Sequence, residues 1–170
     1  MRMIIKNSGR GILSALFLFI LPAQLLFAAP PDGYNFLPLG KAIQKATAEH
    51  KPLFLYFGRY GCSTCRKMHK EVFTDTTIQS TYSNDFVLAY VDTESGNRIR
   101  LPSGERTTEM QFAAKNRILG TPTFIYFSND QKPVFKRAGF QTIEKMNKYS
   151  DFVTQGHFKS TSLKEYLAQE

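Results

Sequence analysis

The 170-residue chain has no tryptophan, only three histidines and only two cysteines. With no third cysteine, no disulfide framework beyond a single pair exists. Neither cysteine lies near the small residues Ala28-Ala29, which excludes a lipid-modified N-terminal cysteine after processing. Basic residues are scattered, with no dense stripe carrying interleaved aromatics, so no nucleic-acid partner is expected. The formal net charge of +8 then reads as a solvated basic surface. There is no internal repeat and no low-complexity tract. The 42 % apolar content is enough, at this length, to fill one sizeable core.

The N-terminus is differently built. Arg2, Lys6 and Arg10 occur without an acid, Ile12 to Phe27 is almost wholly apolar, and Ala28-Ala29 precedes Pro30-Pro31. Basic, then apolar, then small is the layout of a secretory signal. Residues 1–29 are expected to be a signal peptide cut near Ala28 or Ala29, with a retained membrane anchor as the alternative. Pro22 and Gln24 interrupt the apolar stretch, which is near the lower length for spanning a bilayer. Removal takes the three basic residues with it and leaves a charge of +5. Residues 30–37 are expected as a linker and 38–170 as one domain.

Along that domain Leu39, Ala42, Ile43 and Ala46 recur at helical spacing, predicting a helix that ends near His50. Leu53–Phe57 is a continuous apolar run, as in a strand buried on both faces. A helix begins around Cys62, with Cys65, Met68, His69, Val72 and Phe73 on its inward face. Ile78–Tyr82 reads as a short helical turn and Phe86–Val91 as a second buried strand. Residues 92–107 are polar, with a Pro102-Ser103-Gly104 turn, and predict a small insertion, either loop or hairpin. Thr108 and Gln111 form a capping box for a helix expected to turn Met110, Ala113, Ala114 and Ile118 inward. Thr123–Phe127 and Val134–Phe140 predict an antiparallel hairpin around Ser128-Asn129-Asp130. Helices follow at Ile143–Phe152 and Leu163–Leu167. Strands alternating with helices, then a late hairpin, predict an α/β fold: a mixed central sheet with helices on both faces.

The two cysteines fall at Gly61-Cys62-Ser63-Thr64-Cys65, where the first buried strand runs into a helix. Thiols at this spacing can close into a disulfide and reopen. A thiolate at a helix start is stabilised by free N–H groups and the positive end of the dipole, with Arg59 and Arg66 nearby. The hydroxyls of Ser63 and Thr64 are further candidate donors. The competing readings are an inert bridge, or half of a metal site completed by His69 with His50 or His157. Haem attachment needs histidine directly after the second cysteine, and Arg66 stands there.

Together with Gly120-Thr121-Pro122-Thr123-Phe124, these residues resemble the thioredoxin superfamily over roughly residues 35–156. More narrowly, the Cys-x-x-Cys-x-x-Met-His run, Asp151-Phe152-Val153, Gly156-His157-Phe158 and Glu165-Tyr166-Leu167 resemble exported thioredoxin-like proteins, including those accompanying bacterial sulfur-oxidation systems. The resemblance implies a thioredoxin fold and thiol:disulfide oxidoreductase activity, with Cys62 as nucleophile and Cys65 as resolving thiol. Pro122 is then cis and shapes the substrate groove, the Thr121 backbone pairs with an extended substrate segment, and Arg59 and Tyr60 border the groove. It further implies periplasmic localisation, protein disulfide substrates and a membrane electron-transfer partner. No bound cofactor or metal is expected, and a monomer is expected. Reduction of protein disulfides is the leading reading. Disulfide oxidation or isomerisation, or a non-catalytic metal-handling or protein-binding module, are the alternatives. The chain departs from many cytosolic thioredoxins in having Tyr56 where they carry a buried aspartate, and Ser63-Thr64 where they carry glycine-proline. The proton acceptor for Cys65 is left open between a water and His69.

Overall fold

A computed structural model describes residues 29–169. The expected signal segment lies outside the described residues except for Ala29. Strand β1 (Phe36–Leu37) leads into helix α1 (Leu39–Glu49), β2 (Leu53–Gly58), α2 (Ser63–Glu71), α3 (Thr76–Asp85) and β3 (Val87–Asp92). A short ribbon, β4 (Arg98–Arg100) and β5 (Arg106–Thr108), precedes α4 (Glu109–Lys115). Strands β6 (Thr123–Phe127) and β7 (Pro133–Ala138), helix α5 (Ile143–Thr154), a 3-10 turn (His157–Lys159) and α6 (Leu163–Leu167) complete the order.

The main sheet runs β1-β3-β2-β6-β7, with β1, β3 and β2 parallel and β6 and β7 antiparallel. Alternation along β2 sorts its wholly buried side chains into two layers. Phe54 and Tyr56 join Met68 of α2, Ile78 and Tyr82 of α3 and Met146 of α5. Leu53, Leu55 and Phe57 join Leu39, Ala42 and Ala46 of α1 and Ala113 of α4. The mixed sheet between two helical layers is therefore as expected, and its middle strand carries the loop to Cys62.

Local chemistry sets most boundaries. His50, in the left-handed conformation at φ 50°, terminates α1. The Asp75 carboxylate accepts from the N–H groups of Thr77 and Ile78 and starts α3. The reciprocal Thr108/Gln111 capping box starts α4.

Four expectations need correction. Phe36 and Leu37, at the end of the expected linker, pair with Leu88 and Ala89 as an edge strand. The Ile78–Tyr82 turn is part of a ten-residue helix, obscured because only those two residues face inward on a Thr- and Ser-rich segment. Met110 and Ala114 of α4 are exposed, and Phe112 turns inward to stack on Phe57 instead. Strand β7 stops at Ala138, because Gly139 takes φ 81°.

Candidate redox site

Strand β2 ends at Gly58, and Arg59-Tyr60-Gly61 turns the chain into α2, with Gly61 at φ 71°. Gly58 has no room for a side chain: a Cβ there would strike the ring and hydroxyl of Tyr90. Cys62 is the N-cap of α2, and its Sγ accepts the Cys65 N–H at 3.0 Å. Sulfur thus takes the place of a capping oxygen, so one of the helix's unpaired donors points at the atom that must carry charge. Cys62 and Cys65 form a disulfide with Cα atoms 5.2 Å apart, and they retain only 6 % and 5 % exposure.

The loop before β6 closes over this pair. The Thr121-Pro122 peptide is cis, and the Thr121 carbonyl oxygen lies 3.4 Å from Cys62 Sγ. Thr123 Oγ1 donates to Gly120 O at 2.6 Å, and Gly139 N–H donates to Pro122 O at 2.8 Å, so the loop is held from both sides. Cys62, Cys65, Thr121 and Pro122 are brought together. The hydroxyls of Ser63 and Thr64 make no hydrogen bond to either sulfur in this disulfide form.

A cleft of about 220 Å³ beside the disulfide is lined by Arg59, Tyr60, Cys65, Arg66, His69 and Tyr90 among others. Arg59 is not a free cation here, because it pairs with Glu94 at 3.0 Å. On the far side of Arg59 a second depression, about 290 Å³, is bordered by Met110, Ile118, Leu119 and Thr121. Leu119 is 98 % exposed, and with Tyr60 and Met110 it makes up the exposed large apolar side chains of the described residues. Of these, Met110 is the one expected inward, since an apolar residue in an amphipathic pattern reads that way.

His69 lies one helical turn beyond Cys65, and its Nε2 is 2.9 Å from the hydroxyl of Tyr56. Burial lowers the His69 pKa, partly opposed by the Asp32 carboxylate, so the imidazole is neutral at neutral pH. Burial also raises the Tyr56 pKa, with a smaller contribution from Tyr90, and keeps the phenol protonated. The position expected to be conspicuous for a missing carboxylate therefore holds a neutral hydrogen-bonded pair. His50 ends α1 and His157 stacks on Tyr166, so neither joins His69. Among the described residues no three His, Cys, Asp or Glu side chains form a group suited to a metal ion. The carboxy-terminal residues Phe152, Phe158, His157 and Tyr166 pack on one another and clasp α5 to α6.

A Cys-x-x-Cys pair capping the helix after the middle strand, faced by a cis-proline loop, defines a thioredoxin-fold protein of the dithiol/disulfide kind. The chain belongs to the thioredoxin-like domain family, whose model matches residues 39–154. Its structure is similar to a thioredoxin-fold protein from Helicobacter pylori, with TM-score 0.60 and 19 % identity over 71 % of this chain and 80 % of that one. The oxidised DsbD C-terminal domain from Neisseria meningitidis gives TM-score 0.55 and 16 % identity over 70 % of this chain and 99 % of that one. A putative disulphide-isomerase from Bacteroides thetaiotaomicron gives TM-score 0.55 and 23 % identity over 73 % and 95 %. No curated protein matches the chain in sequence.

Proposed function

We propose that this protein is an exported thiol:disulfide oxidoreductase that reduces disulfides in other proteins. The carrying observation is Cys62 Sγ, which accepts the Cys65 N–H and faces the Thr121 carbonyl. In the dithiol state that N–H and the α2 dipole stabilise a Cys62 thiolate, lowering its pKa below the free value of roughly 8.5. The thiolate attacks one sulfur of the client disulfide, forming a mixed disulfide and releasing the client's other sulfur as a thiolate. Cys65, deprotonated, then attacks Cys62 Sγ, releasing the second client thiol and closing the Cys62–Cys65 disulfide. Two electrons have passed to the client, and a dithiol on a redox partner, proposed to be membrane-held, must return the pair to its starting state.

Pro122, the Thr121 backbone, Arg59 and Tyr60 are the proposed borders of the position from which a client chain reaches Cys62. For the Cys65 proton we assign His69 as acceptor. Of the other titratable side chains lining the cleft with Cys65 and Cys62, the arginines are always protonated, and Tyr60 and Tyr90 are phenols that already carry a proton, Tyr90 held so by burial. The neutral imidazole remains. In the tautomer with Nδ1 free, Nε2–H donates to the Tyr56 oxygen, and that bond persists in the imidazolium once Nδ1 takes the proton.

The basic, apolar and small-residue order of residues 1–29 supports export, and the proposed location is the periplasm. Two similar structures carry names from disulfide chemistry, which agrees with this reading. The direct test is insulin reduction with dithiothreitol as electron source. Catalysis that disappears in Cys62→Ser supports the proposal; equal turnover by wild type and Cys62→Ser contradicts it.

A further inference from the structure

The inserted β4–β5 ribbon carries a charge arrangement that packing does not account for. Arg98 and Arg100, two apart on β4, share one face, and the antiparallel register sets Arg106 opposite Arg100 and Thr108 opposite Arg98. Three exposed guanidinium groups therefore stand on one face of a two-stranded ribbon. The other face, through Ile99, packs on the α1 layer. Like charges directly opposed across two strands destabilise the pairing, so Arg100 facing Arg106 weakens the free ribbon.

Neighbouring acids do not relieve this. Glu94 is paired with Arg59 and Glu105 with Lys115. The Asp92 carboxylate accepts the Glu94 N–H, and Glu109 accepts from Asn97. Among the described residues no carboxylate forms an ion pair with Arg98, Arg100 or Arg106. The three arginines line a cleft of about 610 Å³ with Thr107, Thr108 and Gln111, and the half-buried Ile99 also reaches it.

The ribbon also stands near the chemistry. Asp92, which ends β3, pairs with Gly58, so the ribbon leaves the sheet at the strand end from which the Cys62 loop departs. The Arg59–Glu94 ion pair ties those two segments together.

We propose that this arginine face docks an acidic segment of the protein that exchanges electrons with the disulfide; the proposal rests on the redox reading above. Guanidinium forks match carboxylates in geometry, and opposite charge accelerates and orients encounter. Carboxylates of a protein fit better than a bilayer. Membrane-seated basic faces carry apolar side chains beside the charges, and here Tyr60, Met110 and Leu119 lie off the ribbon.

The test is fluorescence anisotropy of the full chain with a labelled peptide alternating Asp and Glu, against its Asn/Gln counterpart. Arg98→Gln/Arg100→Gln/Arg106→Gln should weaken binding of the acidic peptide at least about tenfold at low salt, while the neutral peptide binds neither protein. Lys145→Gln/Lys159→Gln/Lys164→Gln removes equal charge from exposed lysines elsewhere and should change affinity less than about twofold. Equal weakening by the two triple variants overturns the proposal, as does wild type ignoring the peptide but binding phosphatidylglycerol vesicles or inorganic phosphate through the same arginines. Binding is read without turnover, so insulin reduction run in parallel separates the outcomes. Loss of reduction with peptide capture intact would discredit the redox reading alone.

Discussion

The phenolic oxygen of Tyr56 meets Nε2 of His69 at 2.9 Å, joining the middle strand of the sheet to the helix that carries both cysteines. The contact places a neutral, titratable pair where a carboxylate serves the second thiol in many proteins of this fold. Under the proposed mechanism the chemistry of Cys65 depends on this imidazole, which gives the site its own pH response.

If His69 receives the Cys65 proton, His69→Gln slows closure of the mixed disulfide while Cys62 alkylation keeps its wild-type rate. Trapped client should accumulate in His69→Gln, as it does in Cys65→Ser, and Tyr56→Phe should show a weaker version. Stopped-flow quench of the mixed disulfide with a model client checks this. Unchanged closure in His69→Gln removes the imidazole from the mechanism.

His69 also predicts a pH dependence of stability. Its folded pKa is depressed, so between that value and the ordinary value of roughly 6.5 the unfolded chain binds more protons. Its contribution is fully present above pH about 6.5 and is lost as pH falls through that value toward the folded pKa. Urea midpoints measured from neutral pH downward should decline, and the decline should be shallower in His69→Gln.

Met68 lies wholly buried beneath the site, and its sulfur accepts the Gln141 N–H at 3.2 Å. Met68→Ala should cost about 2–5 kcal/mol through the cavity it leaves. The freed N–H places the loss toward the upper part of that range, measured by urea unfolding of the oxidised protein.

Gly58→Ala should cost about 1–3 kcal/mol by overpacking against Tyr90, whose ring is braced by Tyr56 and Phe36. Because Gly58 begins the turn to Cys62, insulin reduction should fall as well. Tyr90→Phe in the same chain, which removes the hydroxyl nearest the added Cβ and keeps the ring, should recover part of the stability lost.

What was legible in the sequence followed from residues whose neighbours in space are also neighbours in the chain. The unbroken apolar run Leu53–Phe57 announced the middle strand, and the Cys62–Cys65 spacing announced the helix cap. The Thr108/Gln111 box announced α4. The Tyr56–His69 contact depends instead on how β2 and α2 meet, and no spacing encodes that distance. Met110 was misread because α4 is a short helix whose one buried residue is Ala113, so the rest of its apolar side chains are not drawn fully into the core. The arginines of the ribbon looked like scattered surface charge until register set Arg100 against Arg106.

Iodoacetamide labelling of the reduced, folded protein across pH, read by mass at each cysteine, bears most closely on the proposed chemistry. Cys62 should react as a thiolate with an apparent pKa below roughly 8.5, and Cys65 only after unfolding. A Cys62 that titrates at or above the value of a free thiol, or that resists labelling in the folded state, contradicts it.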